Sequence, residues 1–119
     1  DYSIMISDSL RAKHCPPGGE YELGGHPIEI RDNGLAYLKG TDTIAGSTLH
    51  INRGLRLLVE EALVPFDAAL NACTINPARC LGADRRKGRI AAGFDADLTV
   101  LDRDYNVLQT WCRGRKCLN

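Results

Sequence analysis

Along the chain, apolar and polar positions alternate in blocks that predict short strands at both ends and helices between them. Ser3-Ile4-Met5-Ile6-Ser7 reads as a buried strand that ends at the polar pair Asp8 and Ser9. Residues 9 to 19 carry Pro16, Pro17, Gly18 and Gly19, which predict a loop and exclude a helix. Strands are then expected over 20–23, 27–31 and 35–39. Gly24-Gly25 and Asp32-Asn33-Gly34 separate them as hairpin turns, giving a small antiparallel meander. Gly40 to Gly46 has no periodicity and leads to Ser47 and Thr48, either of which suits the cap of a helix.

That helix is expected over 48–62, with Ile51, Leu55, Leu58, Val59 and Ala62 on one stripe and Arg53, Arg56 and Glu60 off it. Val64-Pro65 breaks the run, and a second short helix is expected over 66–73. Asn76-Pro77 predicts a third helical turn, with Asn76 as cap and Gly82 as its left-handed end. From Lys87 the pattern turns to strands at about 88–91, 97–102, 107–112 and 115–118. Turns fall at Gly93, at Asp104 to Asn106 and at Gly114. No internal repeat appears, which excludes a solenoid.

Composition adds limits to this outline. A chain of 119 residues, 44% hydrophobic, can bury one modest core. It opens on Asp rather than Met, and an apolar run follows with no leading turn or cap, so it is expected to start partway through a structure. Fifteen basic residues balance fifteen acidic ones, which argues against nucleic acid or an anionic membrane as partner. There is no apolar run of the roughly 20 residues that span a bilayer, and no signal-peptide pattern, so a cytoplasmic setting is expected. Five cysteines cannot all pair within the chain and are expected reduced. Cys112 and Cys117 fall near a zinc-ligand spacing, but no second ligand pair accompanies them. They read as half-buried thiols on a hairpin.

Asp8 is the most informative candidate for chemistry, because acids that work in barrel enzymes project from the C-terminal ends of strands. An ionised Asp there can take a proton from water and return it to a leaving amine. The competing reading is a turn residue whose side chain accepts backbone N–H bonds. Thr43-Ile44-Ala45-Gly46-Ser47-Thr48 leads from meander to helix. Gly46 there would let backbone approach a polar ligand closely, or the segment is an ordinary loop with a cap. His14, His26 and His50 form no HxH or HExxH pattern and read as surface or capping residues, and Asp84-Arg85-Arg86-Lys87 reads as a solvated turn.

Taken in order, ISDS at 6–9, GGEYELGG at 18–25, TIAGSTL at 43–49, NPARCLG at 76–82 and KGRIAAGFDADLTVLD at 87–102 resemble one family. It is the N-acetylglucosamine-6-phosphate deacetylases of the amidohydrolase superfamily. The last motif points to the superfamily, and the combination of ISDS with TIAGSTL and NPARCLG selects the amino-sugar deacetylases within it. The resemblance runs through essentially the whole chain but corresponds to about the last third of such an enzyme.

It implies an α/β fold: the C-terminal fragment of a metal-dependent (β/α)8 TIM-barrel hydrolase, with strands of the accompanying β-sandwich. Residues 1–86 would end the barrel, with the last barrel strand at 3–7 and a β-hairpin insertion at 20–39, and residues 87–119 would join the sandwich. The resemblance further implies that Asp8 is the catalytic acid and base, and that Ile44, Ala45 and Gly46 form the loop that closes over the sugar. The divalent metal, zinc by expectation, and the groups that grip the phosphate would be held by residues upstream of the chain. The partner implied is a small phosphorylated amino sugar, and the full-length protein would be a homo-oligomer, dimer or tetramer. One departure stands out: Leu10, Arg11, Ala12, Lys13 and His14 occupy places where many relatives carry small, glycine-rich residues.

The function expected is hydrolysis of N-acetylglucosamine 6-phosphate to glucosamine 6-phosphate and acetate by the full-length enzyme. Rivals are another amidohydrolase, acting on a cyclic amide or an aminopurine, and a non-catalytic β-rich binding module. The isolated chain is expected to be poorly stable and inactive, because a barrel strand at 3–7 would lack both neighbours.

Overall fold

The computed structural model describes residues 2–16 and 18–117. Pro17, expected to help bar a helix, and Leu118, the expected last strand residue, lie outside the described residues. Two compact units divide the chain, one formed by Ser7–His50 and the other by residues up to Ile6 together with those from Ile51 onward.

The Ser7–His50 unit is a four-stranded antiparallel sheet of β1 (Tyr21–Leu23), β2 (His26–Ile30), β3 (Leu35–Leu38) and β4 (Ile44–Ser47), in the order β1-β2-β3-β4. The first three strands are the expected meander. Alternation along β2 sends Ile28 and Ile30 to one face, where they meet Ala36 and Ala12, with Leu10, Tyr21, Leu38 and Ala45 packed around them. The opposite face is polar. Arg31 bonds Glu29 and Asp42, each at 3.0 Å, and its guanidinium lies 3.9 Å from the centre of the Tyr37 ring.

Two expectations need correction here. The loop at 9–19 contains a 3₁₀ turn at Arg11–His14, which carries Ala12 into the core and lies ahead of the prolines that bar longer helix. Residues 44–47, expected as loop, form the fourth strand. Their hydrophobic period is broken by a bulge, since Ala36 pairs Gly46 and Tyr37 pairs Ile44, leaving Ala45 without a cross-strand partner.

In the other unit, helices α1 (Ile51–Glu60), α2 (Phe66–Cys73) and α3 (Ile75–Cys80) precede a three-stranded antiparallel sheet. That sheet is made of β5 (Leu98–Leu101), β6 (Val107–Cys112) and β7 (Arg115–Lys116). Helix α2 matches its expected range, and its alanines Ala69 and Ala72 are buried. Helix α1 is shorter than expected and its stripe is only partly covered: Leu55 is buried, Leu58 and Val59 are half-buried, and Ile51 and Ala62 are exposed. Neither Ser47 nor Thr48 caps α1, because both hydroxyls bond within the sheet unit. Asn76 is not a cap either. It lies inside α3, buried, with its amide nitrogen 2.8 Å from the Ser3 carbonyl oxygen. Gly82 does end this turn in the left-handed region, at φ +64°.

The strand expected over 3–7 does not form. Met5 N–H donates to the Ala72 carbonyl at 2.9 Å and Ser3 bonds Asn76, so these backbone groups are taken by helices rather than by strands in register. Nor does a strand form over 88–91. Gly88 sits at φ +87°, outside the extended region of a strand, where a Cβ would lie 2.7 Å from Ile75 Cα. Lys87 next to it bonds Asp95 at 2.9 Å and also Asp97, whose other oxygen accepts the Arg113 N–H at 2.8 Å. The remaining strands and turns fall where expected. Asp102 builds the β5–β6 turn by accepting N–H bonds from Asp104 and Asn106, and Asn52 on α1 donates to the Tyr105 carbonyl at 2.9 Å. The five cysteines are free thiols. Cys117 is half-buried as expected, whereas Cys112 is exposed.

Candidate functional site

Asp8, Ile44, Ala45 and Gly46 all belong to the sheet unit, and one residue brings them together. Ser47, at the end of β4, is 8% exposed and faces the segment 7–10, which runs beside it in a single parallel bridge between Ser9 and Ser47. The Ser47 N–H donates to the Asp8 carbonyl at 2.9 Å, and the Ser47 carbonyl accepts from the Leu10 N–H at 2.9 Å. Its hydroxyl donates to the Ser7 carbonyl and accepts the Leu49 N–H at 3.1 Å. Ser9 closes the same corner, with its hydroxyl on the Leu49 carbonyl at 3.2 Å.

These bonds hold Asp8 at φ +48°, a region an L-residue enters at some cost and that Asp tolerates better than most. The Asp8 side chain is exposed, and among the described residues its carboxylate has no hydrogen-bond or ion-pair partner. It is therefore not a turn residue whose carboxylate ties down nearby N–H groups. Backbone alone sets the direction of its Cα–Cβ bond, and among the described residues both carboxylate oxygens are open.

Ile44 is 57% exposed at the start of β4, Ala45 sits on the bulge and is partly packed into the core, and Gly46 is buried at φ +145°. The reason for glycine at 46 is visible. A Cβ there would lie 2.8 Å from Leu10 Cγ, so the close approach that glycine permits is that of Leu10 rather than of a ligand. Leu10, read as a departure from the usual small residues, thus works as the packing partner of β4. Sequence reasoning treated Ser47 only as a helix cap and missed its bonds to residues 7–10. No local pattern in the sequence marks those bonds, because the hydroxyl's partner lies 40 positions away.

A groove of about 520 Å³ opens elsewhere on this unit, between the 3₁₀ turn and β1–β2. Of the charged residues that line it, Arg11, Glu20, Glu22 and Lys39, the pair Glu20 and Lys39 bond each other at 2.8 Å, and neither Asp8 nor residues 44–46 line it. Lys39 holds the Glu20 carboxyl below its usual range. His14 and His50 meet edge to face with ring centres 5.6 Å apart, and desolvation, Lys13 and His14 together lower the His50 pKa. Among the described residues no three His, Cys, Asp or Glu side chains gather as a metal site, so these residues do not by themselves fit a metal centre.

The profile of the amidohydrolase family matches residues 26–117, and the chain belongs to that family. Its relatives narrow the comparison. The chain is 39% identical over 111 residues to the N-acetylglucosamine-6-phosphate deacetylase of Bacillus subtilis (strain 168), and 36% identical over 114 residues to that of Danio rerio. These alignments cover 93% and 95% of this chain but 27% and 28% of those relatives. Among solved structures, N-acetylglucosamine-6-phosphate deacetylase from Pasteurella multocida superposes with a TM-score of 0.89 at 28% identity, over 98% of this chain and 30% of that one. A mutant of the Mycobacterium smegmatis deacetylase in complex with N-acetyl-D-glucosamine-6-phosphate gives 0.81 at 38% identity, over 95% and 30%.

Proposed function

We propose that the protein carrying this chain is a deacetylase that hydrolyses N-acetylglucosamine 6-phosphate to glucosamine 6-phosphate and acetate. The observation that carries the reading is the open carboxylate of Asp8, held on a strained backbone in a chain similar along its length to such deacetylases. On this reading the chain supplies the C-terminal end of a (β/α)8 barrel over 1–86 and strands of the adjoining sandwich over 87–119. The metal, a divalent ion and zinc by preference, belongs to residues other than those described here.

Asp8 acts twice. Its carboxylate takes a proton from the water that attacks the acetamide carbon, and the carbon–oxygen bond forms as the carbonyl π electrons move to oxygen. When the resulting tetrahedral carbon collapses, Asp8 gives that proton to the departing nitrogen, the C–N bond breaks, and the remaining proton of the water passes from the acid to the amine, so that acetate and the protonated amine leave. Ile44, with Ala45 and Gly46 behind it, lies against the sugar. The substrate is a soluble phosphorylated amino sugar, and the setting is cytoplasmic.

The test is acetate release from N-acetylglucosamine 6-phosphate by the protein expressed from its complete coding sequence, with and without added zinc. Metal-dependent release, reduced by roughly 100-fold or more in Asp8→Asn, is the expected result. An Asp8→Asn enzyme with full activity would remove the role of Asp8. A complete protein that releases no acetate with any divalent metal would move the substrate to a cyclic amide or an aminopurine. The 119-residue chain alone is expected to release none.

A further inference from the structure

We infer that Ser47 is the positioning residue for the Asp8 carboxylate, acting through its hydroxyl. The inference rests on the reading of Asp8 given above and adds a residue to it. The direction of the Cα–Cβ bond, from which the carboxylate's rotamers project, is set by the two peptide planes that flank the α-carbon, and Ser47 bonds both planes at Asp8. Its hydroxyl donates to the Ser7 carbonyl, in the plane before Asp8, and its N–H donates to the Asp8 carbonyl, in the plane after, at 2.9 Å. The Leu10 N–H adds a third bond to the Ser47 carbonyl at 2.9 Å, which keeps the segment in place beyond Asp8.

Nothing on the side chain shares this task, because among the described residues the Asp8 carboxylate has no partner. The backbone is also held away from its ordinary choice, at φ +48°. If the plane before Asp8 is freed, rotation toward negative φ is favourable and swings the carboxylate away from its present direction. Burial of Ser47, at 8% exposure, keeps water from replacing the hydroxyl. The main-chain bonds survive any side-chain change at 47, so the hydroxyl can be removed without detaching the strand.

The test uses the protein expressed from its complete coding sequence and compares Ser47→Ala, Ser47→Thr, Asp8→Asn and the double variant Ser47→Ala with Asp8→Asn. Ser47→Ala is expected to lower kcat between about 10- and 100-fold with KM little changed, the scale of a misplaced catalytic group. Ser47→Thr, which keeps the hydroxyl, is expected to recover most of the rate. In the Asp8→Asn background the Ser47→Ala change is expected to have almost no further effect, because there is no working carboxylate left to aim. A purely structural role would instead multiply with Asp8→Asn and raise KM as well. If Ser47→Ala does not fold, Ser47→Cys, with similar volume and a weaker donor, carries the same comparison. Full kcat in Ser47→Ala or Ser47→Cys, or losses that multiply with Asp8→Asn, would overturn the inference while leaving Asp8 as the acid and base. Full activity in Asp8→Asn itself would instead remove the reading on which it rests.

Discussion

Gly88 and Gly93 offer a controlled measure of how tightly the segment after α3 is seated. Both have nearly the same backbone conformation, φ +87° and +85°, so replacing either with alanine carries the same left-handed penalty of about 1–2 kcal/mol. Their surroundings differ. A Cβ at 93 has no heavy atom within 4 Å, whereas one at 88 would lie 2.7 Å from Ile75 Cα, 3.0 Å from its nitrogen and 3.1 Å from the Thr74 carbonyl carbon. Backbone at the start of a helix cannot rotate aside as a side chain can, so the overlap at 88 adds about 2 kcal/mol, within the usual range for overpacking.

Amide hydrogen exchange followed over residues 74–97 in the complete protein reads this difference locally. A gap of about 2 kcal/mol predicts that α3 amides exchange roughly 30-fold faster in Gly88→Ala than in Gly93→Ala. Equal exchange in the two variants would refute the reasoning, since it would mean that Gly88 is not pressed against α3.

Two further predictions concern buried and ionic contacts. At Asn76, 5% exposed, Asn76→Ala removes the bond to the Ser3 carbonyl and the longer one that Arg79 donates to Oδ1 at 3.4 Å, and should cost about 1 kcal/mol. Asn76→Asp keeps an acceptor for Arg79 but sets another against that carbonyl, and should also lower the thermal midpoint; a midpoint unchanged in both variants would contradict the hydrogen-bond assignment. Lys87 holds the carboxyls of Asp95 and Asp97 below the ordinary aspartate range, chiefly by hydrogen bonding to each. A carboxyl with a lowered folded pKa stabilises above its unfolded value, and that contribution is lost as pH falls through the folded one. Lys87→Met should therefore make the acid-side fall in thermal midpoint shallower between neutral pH and about pH 2, and an unchanged slope would argue against the pairing.

Local chemistry made much of this protein legible without coordinates. Alternating apolar positions and the turns at Gly24-Gly25 and Asp32-Asn33-Gly34 determine β1 to β3. The Pro65 break determines where α2 begins, and Asp102 with the residues that follow determines the β5–β6 turn, because each depends on neighbours within a few positions. The ordered motifs, ending in KGRIAAGFDADLTVLD, also pointed to the amidohydrolase family to which the chain belongs.

Tertiary structure decided the rest. Residues 3–7 have the composition of a strand, but a strand exists only where another backbone meets it in register, and among the described residues no strand pairs with them. Residues 44–47 lack a strand's periodicity, yet they become β4 because β3 offers an edge and a bulge absorbs Ala45. Ser47 and Asn76 have the chemistry of caps, and both instead bond carbonyls 40 and 73 residues away in sequence. Asp8 was identified from its place at the end of an apolar run. What holds it there is a serine 39 positions further on, which only the folded chain brings to its side.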